Sequence, residues 1–223
     1  MAVRSLAFEF PGDAATAAID TQYLVGKALL VSPVLAPGAT SVSAYFPSGA
    51  AWYDLATGAQ VQSGGQVTLA APLDTVPIHV RGGSIVTMQS AAMTTTSARK
   101  TPFSLLVAFQ GTDVAQDDLY LDSGDSINPV EAGAFTLMQF QAKQSSGSIV
   151  LSATVASAGY TGPETQLPLT TVQVFGVQGF SAGCSVSVSA AKCVYNKETK
   201  SITVTGLSQP INAAFTLTIA SSA

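Results

Sequence analysis

The chain has 223 residues, of which 47% are hydrophobic and only 10% charged, a composition with too little self-repulsion and too much apolar surface for a disordered protein. That length buries one large β core or two modest ones. Nine basic against thirteen acidic residues give a formal net charge of -4 without a run of like charge, which argues against nucleic acid or an anionic membrane surface as a partner.

The opening "MAVRSLAFEFPGD" contains no apolar run of signal-peptide length and carries Glu9 and Asp13, so no targeting segment is read there. In "AAIDTQYLVGKA" the residues Ile19, Tyr23 and Leu24 follow helical spacing, which predicts a short helix that Asp20 would cap. Next comes "ALLVSPVL", a continuous apolar run of the kind that suits a strand buried on both faces of a parallel sheet. No parallel neighbour precedes it, so the rest of such a sheet is expected before Met1. Lys27, Pro33 and Pro37 interrupt the wider apolar stretch well short of the roughly 20 residues a membrane helix needs.

From residue 38 the pattern changes to short alternating runs. "TSVSAYF", "AAWYDL", "QVTLAA" and "PIHVRGGSIV" read as strands; "MQSAAMTTTSARKTPF" reads as an exposed linker. Beyond it come "FSLLVAF", "DLYLD", "FTLMQFQAK", "SIVLSATV", "TVQVFGV", "SVSVS", "KCVYN", "SITVTG" and "FTLTIA". Short strands punctuated by turns such as "ATGAQ", "SGGQ" and "SSGS" predict a mainly β chain of two antiparallel sandwich-type domains rather than a doubly wound sheet.

The stretch "DDLYLDSGDS", residues 117–126, holds four aspartates. Alternation puts Leu119 and Leu121 on one face and Asp118, Tyr120 and Asp122 on the solvent side. Asp122, Gly124 and Asp125 then have the composition of a structural β-turn. The rival readings are weaker: a catalytic carboxylate pair needs two acids facing each other rather than solvent, and the ligand spacing of a calcium loop is absent.

Elsewhere, His79 is the only histidine and has no nucleophile partner in view, so it reads as structural. Arg81 is expected to pair with Asp74 or another acid. Among Tyr45, Phe46, Trp52 and Tyr53, core packing is the first reading and a sugar-stacking platform at Trp52 and Tyr53 the alternative. Cys184 and Cys193 flank "SVSVSAAK", where two strands of one hairpin would bring them together. They are either a disulfide of an oxidising compartment or two buried thiols, and without histidine neighbours they make no zinc site. No catalytic, cofactor-binding or metal-ligating residue is assigned.

Taken in order, "RSLAFEFP", "DTQYLVGKALLVSPVLAPGATSVSAYFPSGAAWYDLATG", "APLDTVPIHVRGGSIVTMQ", "ARKTPFSLLVAF" and "LYLDSGDS" resemble the C-terminal part of glycoside hydrolase family 31, particularly its plant-type α-glucosidases. The likeness is strong over residues 4–110 and fair to 126; beyond that it rests on strand pattern and "KSITVTGL". The resemblance implies that residues 1–37 are the last helix and strand of a (β/α)₈ barrel, 38–97 a proximal β-domain and 98–223 a distal one. It also implies that the catalytic aspartates lie elsewhere, since the family's Trp-Ile-Asp-Met-Asn-Glu stretch does not occur here. Two departures stand out: "RSL" replaces the commoner Arg-Pro-Leu, and "DSGDS" lacks the usual paired Asp-Asp-Gly. The implied role is a non-catalytic brace for a barrel belonging to a parent enzyme, secreted, vacuolar or in the secretory pathway, that acts on α-glucan or oligosaccharide. The alternative is a free-standing carbohydrate-binding or surface-interaction β-sandwich.

Overall fold

The computed structural model describes residues 3–111 and 114–222. The chain divides into two compact units, Met1–Ser84 and Ile85–Ala223.

Unit 1 opens with β1 (Val3–Arg4), the one-turn helix α1 (Leu6–Glu9) and a 3₁₀ turn over Ala14–Ala18. Then follow β2 (Tyr23–Val25), β3 (Leu29–Val31), β4 (Ser41–Phe46), β5 (Trp52–Asp54), β6 (Gln60–Val61), β7 (Gly65–Ala70) and β8 (Ile78–Arg81). Six of these form one antiparallel sheet in the order β1-β2-β3-β8-β5-β6, and β4 pairs with β7 in a separate antiparallel ladder. Leu6, Phe10, Leu24, Leu30, Ala44, Phe46, Ala50 and Trp52 fill the core.

Three expectations are corrected here. Tyr23 to Val25 is a strand rather than a helix, because Leu24 is buried while Tyr23 and Val25 face out, a period of two that the positive-φ Gly26 turns back into β3. Asp20 caps no helix; Asp13 does so instead, accepting the Ala15 amide at 3.2 Å at the start of the 3₁₀ turn. Third, "ALLVSPVL" supplies no parallel strand: Leu29–Val31 pairs antiparallel with β2 on one side and β8 on the other. Residues 1–37 therefore share a sheet and a core with residues 38–81, and the fold shows no barrel end separated at residue 37.

Unit 2 is built on β9 (Ser84–Gln89), α2 (Thr95–Ala98), β10 (Phe103–Ala108), β11 (Val114–Leu121), β12 (Thr136–Ser145), β13 (Ser148–Ala158), β14 (Pro168–Phe175), β15 (Gly183–Val186), β16 (Lys192–Asn196), β17 (Ser201–Pro210) and β18 (Phe215–Ser222). All its strands belong to one ten-stranded sheet, β15-β18-β13-β12-β11-β9-β10-β14-β17-β16, in which β10 and β14 run parallel. Because β9 sits between β11 and β10, the segment expected as a linker lies inside this unit, and the division falls at residue 84 rather than 97. Alternation explains the core: along β12, Met138, Phe140 and Ala142 point in while Gln139 and Lys143 face solvent. Leu105, Val107, Ile149, Leu151, Val172, Val174, Ile202, Val204, Leu217 and Ile219 belong to the same core.

The expected cysteine hairpin takes another form. β15 bonds to β18 and β16 to β17, so the two strands hold opposite ends of the sheet order, and the Cys184–Cys193 disulfide joins those ends. Among the described residues no helix is long and apolar enough to cross a membrane.

Candidate functional site

In unit 1 the acidic residues are bound into the framework. Glu9 forms ion pairs with Arg4 and with Arg81, the latter at 3.3 Å, and the Arg81 guanidinium lies 4.5 Å from the centre of the Phe10 ring. Arg81 thus finds Glu9 rather than Asp74, tying β8 to α1. Asp13 accepts from Tyr45 Oη at 2.9 and 2.8 Å and from the Ser48 amide at 3.2 Å. The Tyr45 hydrogen bond holds the Asp13 carboxyl below its ordinary value and raises the Tyr45 phenol. A further buried polar side chain, unnoticed in the sequence, fixes the start of β2: Gln22 bonds both the amide and carbonyl of Tyr45, at 2.7 and 3.2 Å, and the Ser32 hydroxyl at 2.8 Å.

The aromatic pair belongs to the core. Trp52 is 0% exposed and Tyr53 3%, and the Trp52 indole N–H donates to Pro47 O at 3.1 Å. Phe10 and Phe46 pack on Trp52 with ring centres 5.9 and 6.2 Å away. A sugar ring needs an accessible aromatic face, so the stacking platform expected as an alternative at Trp52 and Tyr53 is withdrawn. His79 is 1% exposed, with its ring edge-on to Phe46 at 4.7 Å, and among the described residues Nδ1 has no hydrogen-bond partner. Burial pushes its pKa down, against a weaker opposing pull from Asp54. It lines a surface cleft of about 270 Å³ with Asp54, Leu55, Leu69, Thr75 and Val76.

In unit 2 the aspartate-rich stretch ends β11 as a turn. Asp122 Oδ1 accepts the Gly124 amide at 2.8 Å, and Gly124 has φ +81°. Arg99, from the end of α2, clamps this turn: Nη2 donates to Asp122 O at 2.8 Å and also pairs with Glu164. Tyr160 Oη donates to Glu164 Oε2 at 2.9 Å. Burial alone would raise the Glu164 carboxyl, but the backbone bond, Tyr160 and Arg99 together outweigh it and lower the pKa. Arg99 and Glu164 also line a cavity of about 280 Å³ with Thr96, Lys100, Pro163 and Leu167. Asp125 and Asp118 face solvent. Among the described residues no group of three or more His, Cys, Asp or Glu is placed to hold a metal ion.

These contacts define a class, a β-rich region in which Glu9, Asp13, Arg81, Arg99, Asp122 and Glu164 tie elements of the fold together. Residues 1–86, which take in unit 1, match the glycosyl hydrolase family 31 C-terminal domain. The α-glucosidase of Aspergillus niger is 37% identical over 213 residues, covering 92% of this chain and 20% of that protein. The lysosomal α-glucosidase of Mus musculus is 42% identical over 159 residues, 63% of this chain and 17% of that one. A family 31 dextranase of Flavobacterium johnsoniae superposes on 98% of the chain and 29% of its own length, with a TM-score of 0.80 at 21% identity. The chain belongs to glycoside hydrolase family 31, and what it carries is the family's C-terminal region. It spans about a fifth of the length of these curated relatives.

Proposed function

We propose that the chain is the structural C-terminal region of an α-glucosidase-like enzyme, unit 1 being the proximal and unit 2 the distal β-domain. On this reading it braces a catalytic (β/α)₈ barrel contributed by the rest of a parent protein and supplies no reacting group. The observation that carries it is the fate of the carboxylates: Glu9, Asp13, Asp122 and Glu164 are each held in ion pairs or turns, and Asp118 and Asp125 face water. Two opposed carboxyl groups are what glycoside hydrolysis requires. Unit 1 also exposes Val3, Phe8, Leu35, Leu73 and Val76, apolar surface suited to being covered by protein. Rigid supporting contacts of that kind set the precision of a site held elsewhere. Any contact with α-glucan or oligosaccharide is then made by the parent. The lysosomal name of the mouse relative and the disulfide both support a parent of the secretory pathway.

A chimera tests this. The chain replaces the matching region of the Aspergillus niger enzyme, and both hybrid and isolated chain are assayed on an aryl α-glucoside. The hybrid is expected to be active and the isolated chain inert. A folded but inactive hybrid would overturn the bracing role. Turnover by the pure chain, abolished by Asp122→Asn or Asp125→Asn, would overturn the absence of a reacting group.

A further inference from the structure

The ten-stranded sheet of unit 2 has two ends, and they meet. Among the described residues β15 takes ladder hydrogen bonds from β18 alone, and β16 from β17 alone. Among the described residues no ladder joins β15 to β16, yet their backbones approach closely and the Cα atoms of Cys184 and Cys193 lie 5.6 Å apart. A barrel normally abolishes its edges by hydrogen-bonding the last strand to the first. Here that step is missing at one seam, and a covalent bond stands in its place.

What lies behind the seam gives the bond its importance. Cys184, Val186, Ala191, Cys193 and Tyr195 pack against the unit 2 core, with the Tyr195 ring 5.9 Å from that of Phe180. The link between the strands is short, and its residues Ser187 to Ala190 are exposed; the other contacts of β15 and β16 run to β18, β17 and the core behind them, so that across the seam itself the disulfide is the bond that joins the two strands among the described residues. Both cysteines are half-buried rather than sealed, within reach of a small thiol.

We propose that Cys184–Cys193 is a redox-operated clasp: oxidised, it holds the seam of the sheet shut, and reduced, it releases β15 and β16 as two free edges. A dithiol reductant supplies the two electrons and two protons. One of its thiolates attacks a cysteine sulfur to give a mixed disulfide; the second closes the reductant's own disulfide and leaves Cys184 and Cys193 as thiols. The inference goes beyond the bracing role and does not depend on it, since it concerns the closure of unit 2 alone.

The full chain is compared in three forms: oxidised, reduced with dithiothreitol after folding, and as the Cys184→Ser/Cys193→Ser double variant. Amide hydrogen exchange is expected to show at least about tenfold faster exchange at 183–186 and 192–196 on reduction, while β11, β12 and β13 keep their protection. The melting temperature should fall by about 10 °C, as for release of a short covalent loop in a domain of this size. Unchanged protection of β15 and β16 in the reduced form would overturn the clasp. So would a uniform loss across unit 2, because the seam would then not open by itself. If the double variant does not fold, reduction of the folded wild type still decides between these outcomes.

Discussion

Two stretches of this chain carry the same signal and take different places. "ALLVSPVL" and "FSLLVAF" each combine a run of apolar residues with a single serine, the first yielding β3 and the second β10. β3 has three residues and lies between two antiparallel neighbours, one reached through a tight turn at Gly26. β10 has six and pairs in parallel with β14, which the chain reaches only after three intervening strands. A tight turn reverses the chain and forces antiparallel pairing; a parallel partner needs a long crossover. An apolar run therefore reports burial on both faces, whereas direction is decided by the connection.

The largest test removes β3 with everything before it. Deleting residues 1–36 takes Leu6, Phe10, Leu24 and Leu30 from the core and strips β8 of a neighbour. At about 2 kcal/mol for each large side chain, that loss approaches the whole stability of a small domain. Unit 1 should unfold, and Trp52, the only tryptophan, should report it by a red shift of its emission. A buried Trp52 spectrum after the deletion would show that residues 1–36 are an appendage after all.

Single truncations compare the two runs directly. Leu30 and Leu105 are both 0% exposed. Leu105→Ala, in the middle of a longer strand with less room to collapse, should cost about 4 kcal/mol, and Leu30→Ala about 3. Urea unfolding of each variant measures this, and the reverse order would mean that strand length does not govern relaxation around the cavity.

The same contrast explains what could be read without coordinates. Many strands from β4 onward were identifiable because one face is wet and the side chains alternate, as in β7 and β16, whereas β10 is buried on both faces. The solvent-facing Asp118 and Tyr120 followed from the same rule. What failed was long-range: the direction of β3, the inclusion of β9 in the second sheet, and the arrival of Arg99 on the Asp122 turn and Glu164. Nothing local distinguishes an arginine that reaches a turn more than twenty residues away from one in solvent. The cysteines illustrate the middle case: their proximity followed from short spacing, but not that they would join the two ends of one sheet.

Two glycines extend the comparison to the turns. Gly26 has φ +60° and a Cβ there would meet nothing within 4 Å, whereas Gly124 has φ +81° and a Cβ would come within 2.7 Å of Arg99 Nη1. Gly26→Ala should cost about 1 kcal/mol, the conformational penalty alone. Gly124→Val should cost about 2 kcal/mol, because a β-branched residue tolerates positive φ least and the Arg99 clamp must shift. Asp125→Asn should change stability by less than about 0.5 kcal/mol. Thermal melts with calcium and with a chelator complete the test: a calcium-dependent rise abolished by Asp125→Asn would replace the turn by a metal site.

The smallest effect concerns β8 where it faces β3, since Leu30 is the cross-strand partner of His79. Burial lowers the His79 pKa in the folded state below the ordinary 6.5, although Asp54 pulls the other way. The unfolded chain therefore binds the proton more readily, and stability rises with pH wherever that difference persists. The contribution is complete above about pH 6.5 and is lost as the pH falls from there towards the folded pKa. Asp13 and Glu164, also lowered, start from ordinary values of 3.8 and 4.5 and add their loss in a more acidic window. Urea unfolding followed by Trp52 emission at about pH 7 and pH 5.5 should show unit 1 less stable at the lower value. His79→Leu should flatten that slope, because no other histidine is present to replace it. An equal slope in the variant would mean that His79 is protonated as easily in the folded chain as in the unfolded one, and that the β3–β8 contact does not exclude water from its ring.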